Sequence, residues 1–128
     1  MTAYSGLMFL VTSNKVKRLL HLSYIERVEP EELKRGLEDL QTLLADLSPG
    51  LRVLVDLSRL EFMELACTTE IGRGMEMIDQ RGVGLVVRVI PDPSKDIGLN
   101  ILTAFHYARQ PRLVTCKNMT EAARALAL

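Results

Sequence analysis

Few side chains in this sequence could do chemistry, and their spacing narrows the choice further. His21 and His106 are the only histidines, Cys67 and Cys116 the only cysteines. A histidine, a cysteine and an acid brought together by folding can form a nucleophilic triad. Neither cysteine carries a local nucleophile signature, and neither has a second cysteine or a histidine at metal-ligand spacing. Cys116 ends the run Leu113-Val114-Thr115-Cys116, an apparent strand in which a buried reduced thiol is the simpler role. His21 takes an alternate position in another strand and His106 precedes Tyr107 near a helix end, so both read as surface or hydrogen-bonded structural residues. These residues imply no catalytic set, no metal and no cofactor, and the chain reads as a non-enzyme.

The remaining candidates crowd one stretch. Glu61, Glu64 and Glu70 gather around a loop and a helix start. Paired carboxylates can serve acid–base chemistry or hold a cation, but acidic residues at a helix N-terminus need only the helix dipole to explain them. Thr68 and Thr69 stand at the same helix start, where a phosphate would meet free N–H groups. Capping or packing the first turn is the commoner job for such threonines. Ser58 is either a turn residue or a modification site. Gly72-Arg73-Gly74 lacks the Gly-x4-Gly-Lys-Ser/Thr and Gly-x-Gly-x-x-Gly spacings of phosphate loops. Glycines inside a helical pattern cost about 1 kcal/mol each relative to alanine. They admit close approach, either of this domain's own elements or of a partner chain.

Composition sets the frame for these residues. The 128 residues suit one domain, and 48% hydrophobic and 25% charged content is ordinary for a globular chain. Sixteen Lys plus Arg balance sixteen Asp plus Glu, which argues against a nucleic-acid partner because a phosphate-binding surface needs concentrated positive charge. No basic segment precedes an apolar run and a small-residue cleavage site at the N-terminus. No apolar run reaches the roughly 20 residues of a membrane span. The expected location is the cytoplasm.

The elements that must position the candidates follow from periodicity. Residues 6–12 and 16–25 read as two strands of a hairpin, with Leu20, Leu22 and Tyr24 on one face and His21 and Ser23 on the other. Pro30 opens a helix with the stripe Leu33, Leu37, Leu40, Leu44 and Leu47, stopped by Ser48-Pro49-Gly50. Residues 51–57 form a buried strand. Cys67, Ile71, Met75 and Ile78 mark a second helix ending at Gly82, and residues 83–90 form the next strand. Asp92-Pro93 starts a third helix with Ile97, Ile101 and Phe105 on one face. Leu99, Leu102, Tyr107 and Met77 add apolar groups beyond single stripes, a hint of a second buried face and of a homodimer. Residues 112–116 make a last strand, and Asn118-Met119-Thr120-Glu121 resembles a capping box opening the last helix. The order β-β-α-β-α-β-α-β-α predicts one α/β domain over residues 1–128. Its sheet is mixed and mostly parallel, with about five strands under about four helices.

That order, with Val53-Leu54-Val55-Asp56-Leu57-Ser58 and Phe62-Met63-Glu64 at its centre, resembles the STAS domain of anti-sigma-factor antagonists. In that family a buried strand ends in an Asp-Leu-Ser-x-Val-x-Phe-Met-Asp-like pattern, followed by Ser-Ser-Gly and a helix. The family's phosphorylatable serine falls here on Leu65, the next serine on Ala66, and the glycine on Cys67. The Gly-Glu-Leu-Asp-like turn after the second strand is replaced by Tyr24-Ile25-Glu26-Arg27. The resemblance implies a regulatory module without the usual serine switch. Its partner would be a kinase-like anti-sigma factor or another signalling protein. Its face would comprise the loop from Phe62 to Glu64, Leu65, Ala66 and Cys67 and the helix from Thr68 and Thr69, with Thr68, Thr69 and Ser58 as candidate phosphoacceptors. Two other readings stay open. One is a small-ligand sensor whose pocket uses the six methionines with Phe62, Phe105 and Tyr107; the other is a small enzyme using His106.

Overall fold

The computed structural model describes residues 8–92 and 106–127. One five-stranded sheet runs in the order β1-β2-β3-β4-β5, its strands being β1 (Phe9–Asn14), β2 (Leu19–Val28), β3 (Leu51–Met63), β4 (Val83–Val89) and β5 (Arg112–Cys116). β1 is antiparallel to β2, and every later pair is parallel. The mixed, mostly parallel α/β fold is the one expected. Three helices stand among the described residues: α1 (Pro30–Ala45), α2 (Cys67–Arg81) and α3 (Met119–Ala125). The helix expected from Asp92-Pro93, with Ile97, Leu99, Ile101, Leu102 and Phe105, falls almost wholly outside the described residues.

The alternation of β2 sends Leu20, Leu22 and Tyr24 into the larger core, with Leu33, Leu40, Leu44 and Leu47 of α1 and its C-terminal turn, and Ile71 and Ile78 of α2. The opposite face holds a smaller core of Leu19, Leu54, Val87, Val89 and Cys116 under Ala122 and Leu126. β4 is apolar on both faces, which is why it reads as a continuous hydrophobic run.

Local chemistry fixes the element ends. α1 starts at Pro30, and the buried Glu32 carboxylate accepts from the Glu29 N–H at 3.2 Å and the Met8 N–H at 3.2 Å. α2 ends at Gly82, whose φ of +98° is left-handed and favours glycine. α1 has no basic residue in its last turn; Arg81 of α2 supplies the charge, its Nε donating to the Leu47 carbonyl at 2.6 Å. Asn118 caps α3 by accepting from the Glu121 N–H at 2.9 Å.

Two stretches differ from the sequence expectation. Residues 15–18 form the hairpin turn rather than the start of β2. β3 runs past Leu57 to Met63, so Ser58 and Phe62 lie on a strand, not in a turn or loop. Two register shifts against β2 allow this. The pairs Ser23↔Asp56 and Ile25↔Arg59 set one extra β3 residue against β2, and Glu26↔Leu60 followed by Arg27↔Phe62 sets another. Asp56 Oδ1 accepts from the Ser58 N–H at 2.9 Å and steadies the first bulge. Glu26, opposite the second, takes φ +53°, a conformation costly for a residue with a side chain.

Candidate functional site

The site expected around residues 62–69 lies where β3 passes into α2. Phe62 is the penultimate β3 residue and stays 48% exposed, and the Arg27 guanidinium of β2 sits over its ring at 4.8 Å. Met63 turns the other way, into the larger core. Glu64, Leu65 and Ala66 make the exposed turn. Leu65 is 79% exposed, so it forgoes most of the roughly 1.5–3 kcal/mol that burying a leucine provides.

Cys67 is the first α2 residue and fully buried, its thiol donating weakly to the Val28 carbonyl at 3.6 Å. Burial pushes this thiol up to about 11, with the charges of Glu64, Glu32 and Glu29 adding to the effect. It is therefore a packing residue, not a nucleophile. Thr68 neither caps the helix nor stands free: its hydroxyl donates to the Leu65 carbonyl at 2.9 Å, closing the turn. The α2 N-cap is Ala66, which offers no side-chain bond, while Thr69 is exposed.

Glu64, Leu65, Ala66, Thr68 and Thr69 are thus brought together, with Phe62 beside them. Ser58 is exposed but five residues back along β3, on the order of 15 Å away at strand rise. Glu70 does not join Glu61 and Glu64. It is 5% exposed and lines an internal cavity, with Arg73 at 3.6 Å from Oε2. Arg27 and Glu29 were not singled out in the sequence; only pairing β2 with β3 in the bulged register brings them here.

Each histidine has a partner other than a cysteine. His21 Nε2 meets Ser23 Oγ at 3.1 Å, both half-buried on β2, and His106 Nδ1 meets the exposed Glu76 at 2.6 Å. Gly72 and Gly74 serve this domain's own packing. A Cβ on Gly72 would stand 2.6 Å from His106 Nε2, and one on Gly74 would stand 3.3 Å from Leu37. Among the described residues no three His, Cys, Asp or Glu side chains form a metal-binding group. Among the same residues no helix is long and apolar enough to cross a membrane.

The cavity between the sheet and the helices is lined by Tyr24, Leu37, Glu70, Met75, Arg88 and Tyr107, among others, and its volume is about 40 Å³. Burial raises the Tyr24 and Tyr107 phenols, keeping both neutral. A space of this size takes a few waters. It lies far below the several hundred Å³ of a metabolite pocket.

Neither a family model nor a curated protein matches the chain. Solved structures do. An uncharacterised protein from Shewanella loihica PV-4, of the DUF3478 family with a SpoIIAA-like fold, aligns at TM-score 0.68 and 12% identity over 92% of this chain and 91% of its own. The anti-sigma factor antagonist SpoIIAA in its unphosphorylated form aligns at TM-score 0.59 and 12% identity, covering 93% and 97%. A STAS domain protein from Planctomyces limnophilus aligns at TM-score 0.57 and 21% identity, covering 94% and 98%. The fold is that of a STAS domain. At these identities the likeness is one of fold, and it agrees with the resemblance carried by Asp56-Leu57-Ser58 and Phe62-Met63-Glu64. In this STAS-like chain the turn before α2 presents an outward leucine, not a serine hydroxyl.

Proposed function

We propose that this chain is a non-catalytic, protein-binding regulatory module acting in the cytoplasm. Its binding face comprises Phe62, Glu64, Leu65, Ala66 and the start of α2 at Thr68 and Thr69. The observation carrying this reading is the exposure of Phe62 and Leu65 at 48% and 79% at one end of the sheet. Large apolar side chains left out of the core beside a polar rim fit a protein-docking surface. The solved structures it resembles include anti-sigma-factor antagonists, so a signalling protein is the fitting class of partner.

Control by the usual serine is not part of the reading, because Leu65 has no hydroxyl to phosphorylate. Thr68 already donates its hydroxyl to Leu65. Thr69 is the open hydroxyl of the face, and a phosphate there would sit at the α2 N-terminus.

Affinity capture from the source cells tests the face. The wild-type domain should retain a signalling protein that the double variant Phe62→Ser, Leu65→Ser loses, with the far-UV spectra of the two domains superimposing. Equal retention by the two would remove the face from consideration.

A further inference from the structure

The formal charge of the chain is zero, but the fold sorts its charges. β2 to β5 run parallel, so their starts share one pole of the molecule and their ends the other. At the first pole the turn of residues 15–18 exposes Lys15, Lys17 and Arg18 around Val16, which is 94% exposed. The turn is held in shape. The Lys17 N–H donates to Asn14 Oδ1 at 3.0 Å, and the Arg52 side chain and main chain donate to the Lys17 and Arg18 carbonyls, both at 2.8 Å. Val16 is therefore an apolar tip in a basic collar on a built loop.

At the second pole, exposed Phe62 and Leu65 have Glu64 between them in sequence, with Glu26 on β2 and Glu29 just beyond its end at the α1 N-cap. This is an apolar patch whose surround carries more acid than base, Glu26, Glu29 and Glu64 against Arg27 over the Phe62 ring. The ten residues of β2 separate the poles, a span of about 30 Å, so no chain can fold its own tip onto its own patch.

We infer that the occupant of the Phe62–Leu65 patch is the Val16 turn of a second copy of this chain. The inference rests on the binding face proposed above: a second copy fills that face in the free protein, and the signalling partner competes for it. Apolar tip meets apolar patch, and Lys15, Lys17 and Arg18 meet Glu26, Glu29 and Glu64. The two surfaces differ, so each contact is head-to-tail: copies add in a row, or two copies turned antiparallel engage tip and patch reciprocally. A four-residue turn covers much less than the roughly 800 Å² per partner of a standard interface. The association is therefore weak, concentration-dependent and loosened by salt.

Sedimentation equilibrium of the full chain tests this. The weight-average mass should climb with concentration past that of a monomer, and high salt should weaken the association by roughly tenfold. Two single-ended variants make the decisive pair: Lys15→Glu with Val16→Asp, and Phe62→Ser with Leu65→Ser. Leu65→Ser alone provides a milder control with less disturbance of Phe62. Each variant alone should be monomeric, and an equimolar mixture of the two should form heterodimers and nothing larger. A wild type that stays monomeric near millimolar concentration overturns the inference. So does a closed dimer that survives both variants. If the patch variant also loses the signalling partner in affinity capture while the wild type stays monomeric, the binding face stands and the second copy falls.

Discussion

Cys67 and Leu65, two positions apart, have opposite fates. Leu65 is thrown outward by the turn, while Cys67 starts α2 and points inward beneath it. The thiol is held up to about 11 chiefly by burial, so at neutral pH it is protonated and slow to react. A disulfide-exchange reagent at pH 8 should leave both cysteines of the folded protein unlabelled over a period that labels both in denaturant. Labelling of folded Cys67 should accelerate only as the pH nears 11; rapid labelling at pH 8 would contradict the burial. The linkage has a definite sign. The folded value lies above the ordinary 9.0, so the folded state favours the thiol. Its contribution to stability is complete below pH 9 and declines as the pH rises towards 11. That these two residues depart from a Ser-Ser-Gly pattern was legible in the sequence. Which one faces solvent depended on the turn geometry.

Among the elements, β3 carries the most connections and was the least well bounded by its own pattern. Residues 51–57 read as a buried run and the next six do not, because the two bulges break the alternation that marks a strand. The helix signals were local and plain: Pro30, the leucine stripe, Gly82 and Asn118 act within a few residues of where they stand. Arg52 was not marked by any such pattern. Its guanidinium joins β3 to the Leu126 carbonyl after α3 and, at 2.8 Å, to the Lys17 carbonyl in the hairpin turn. Arg52→Ala removes both charge-assisted bonds and should cost about 2 kcal/mol. Urea unfolding should show an earlier midpoint with an unchanged slope. A loss below about 0.5 kcal/mol would mean that Arg52 is an ordinary surface residue.

At the scale of the whole molecule, the two cores share the sheet as their common wall. β4 contributes Val86 to one and Val87 and Val89 to the other. A wall shared in this way couples the layers, and the chain should unfold as one cooperative unit. The chain has no tryptophan, so the buried Tyr24 and Tyr107 report tertiary packing through near-ultraviolet circular dichroism, while the far-ultraviolet signal reports helices and strands. The two urea transitions should coincide. A tyrosine signal lost before the far-ultraviolet signal would show two units where one domain is proposed.

The amino-acid sequence alone determined the class of fold, the order of the described elements and the missing serine. These depend on periodicity, on residue type and on caps, which act over a few neighbouring positions. Only the tertiary structure decided what those residues face. The register of β2 on β3 set Arg27 over Phe62, the turn before α2 turned Leu65 outward, and the approach of His106 gave Gly72 its purpose. Parallel strands set the Lys15, Lys17 and Arg18 turn and the Glu26, Glu29 and Glu64 carboxylates at opposite ends of β2. Each outcome joins residues far apart in the chain, and no local spacing encodes the partner that packing will supply.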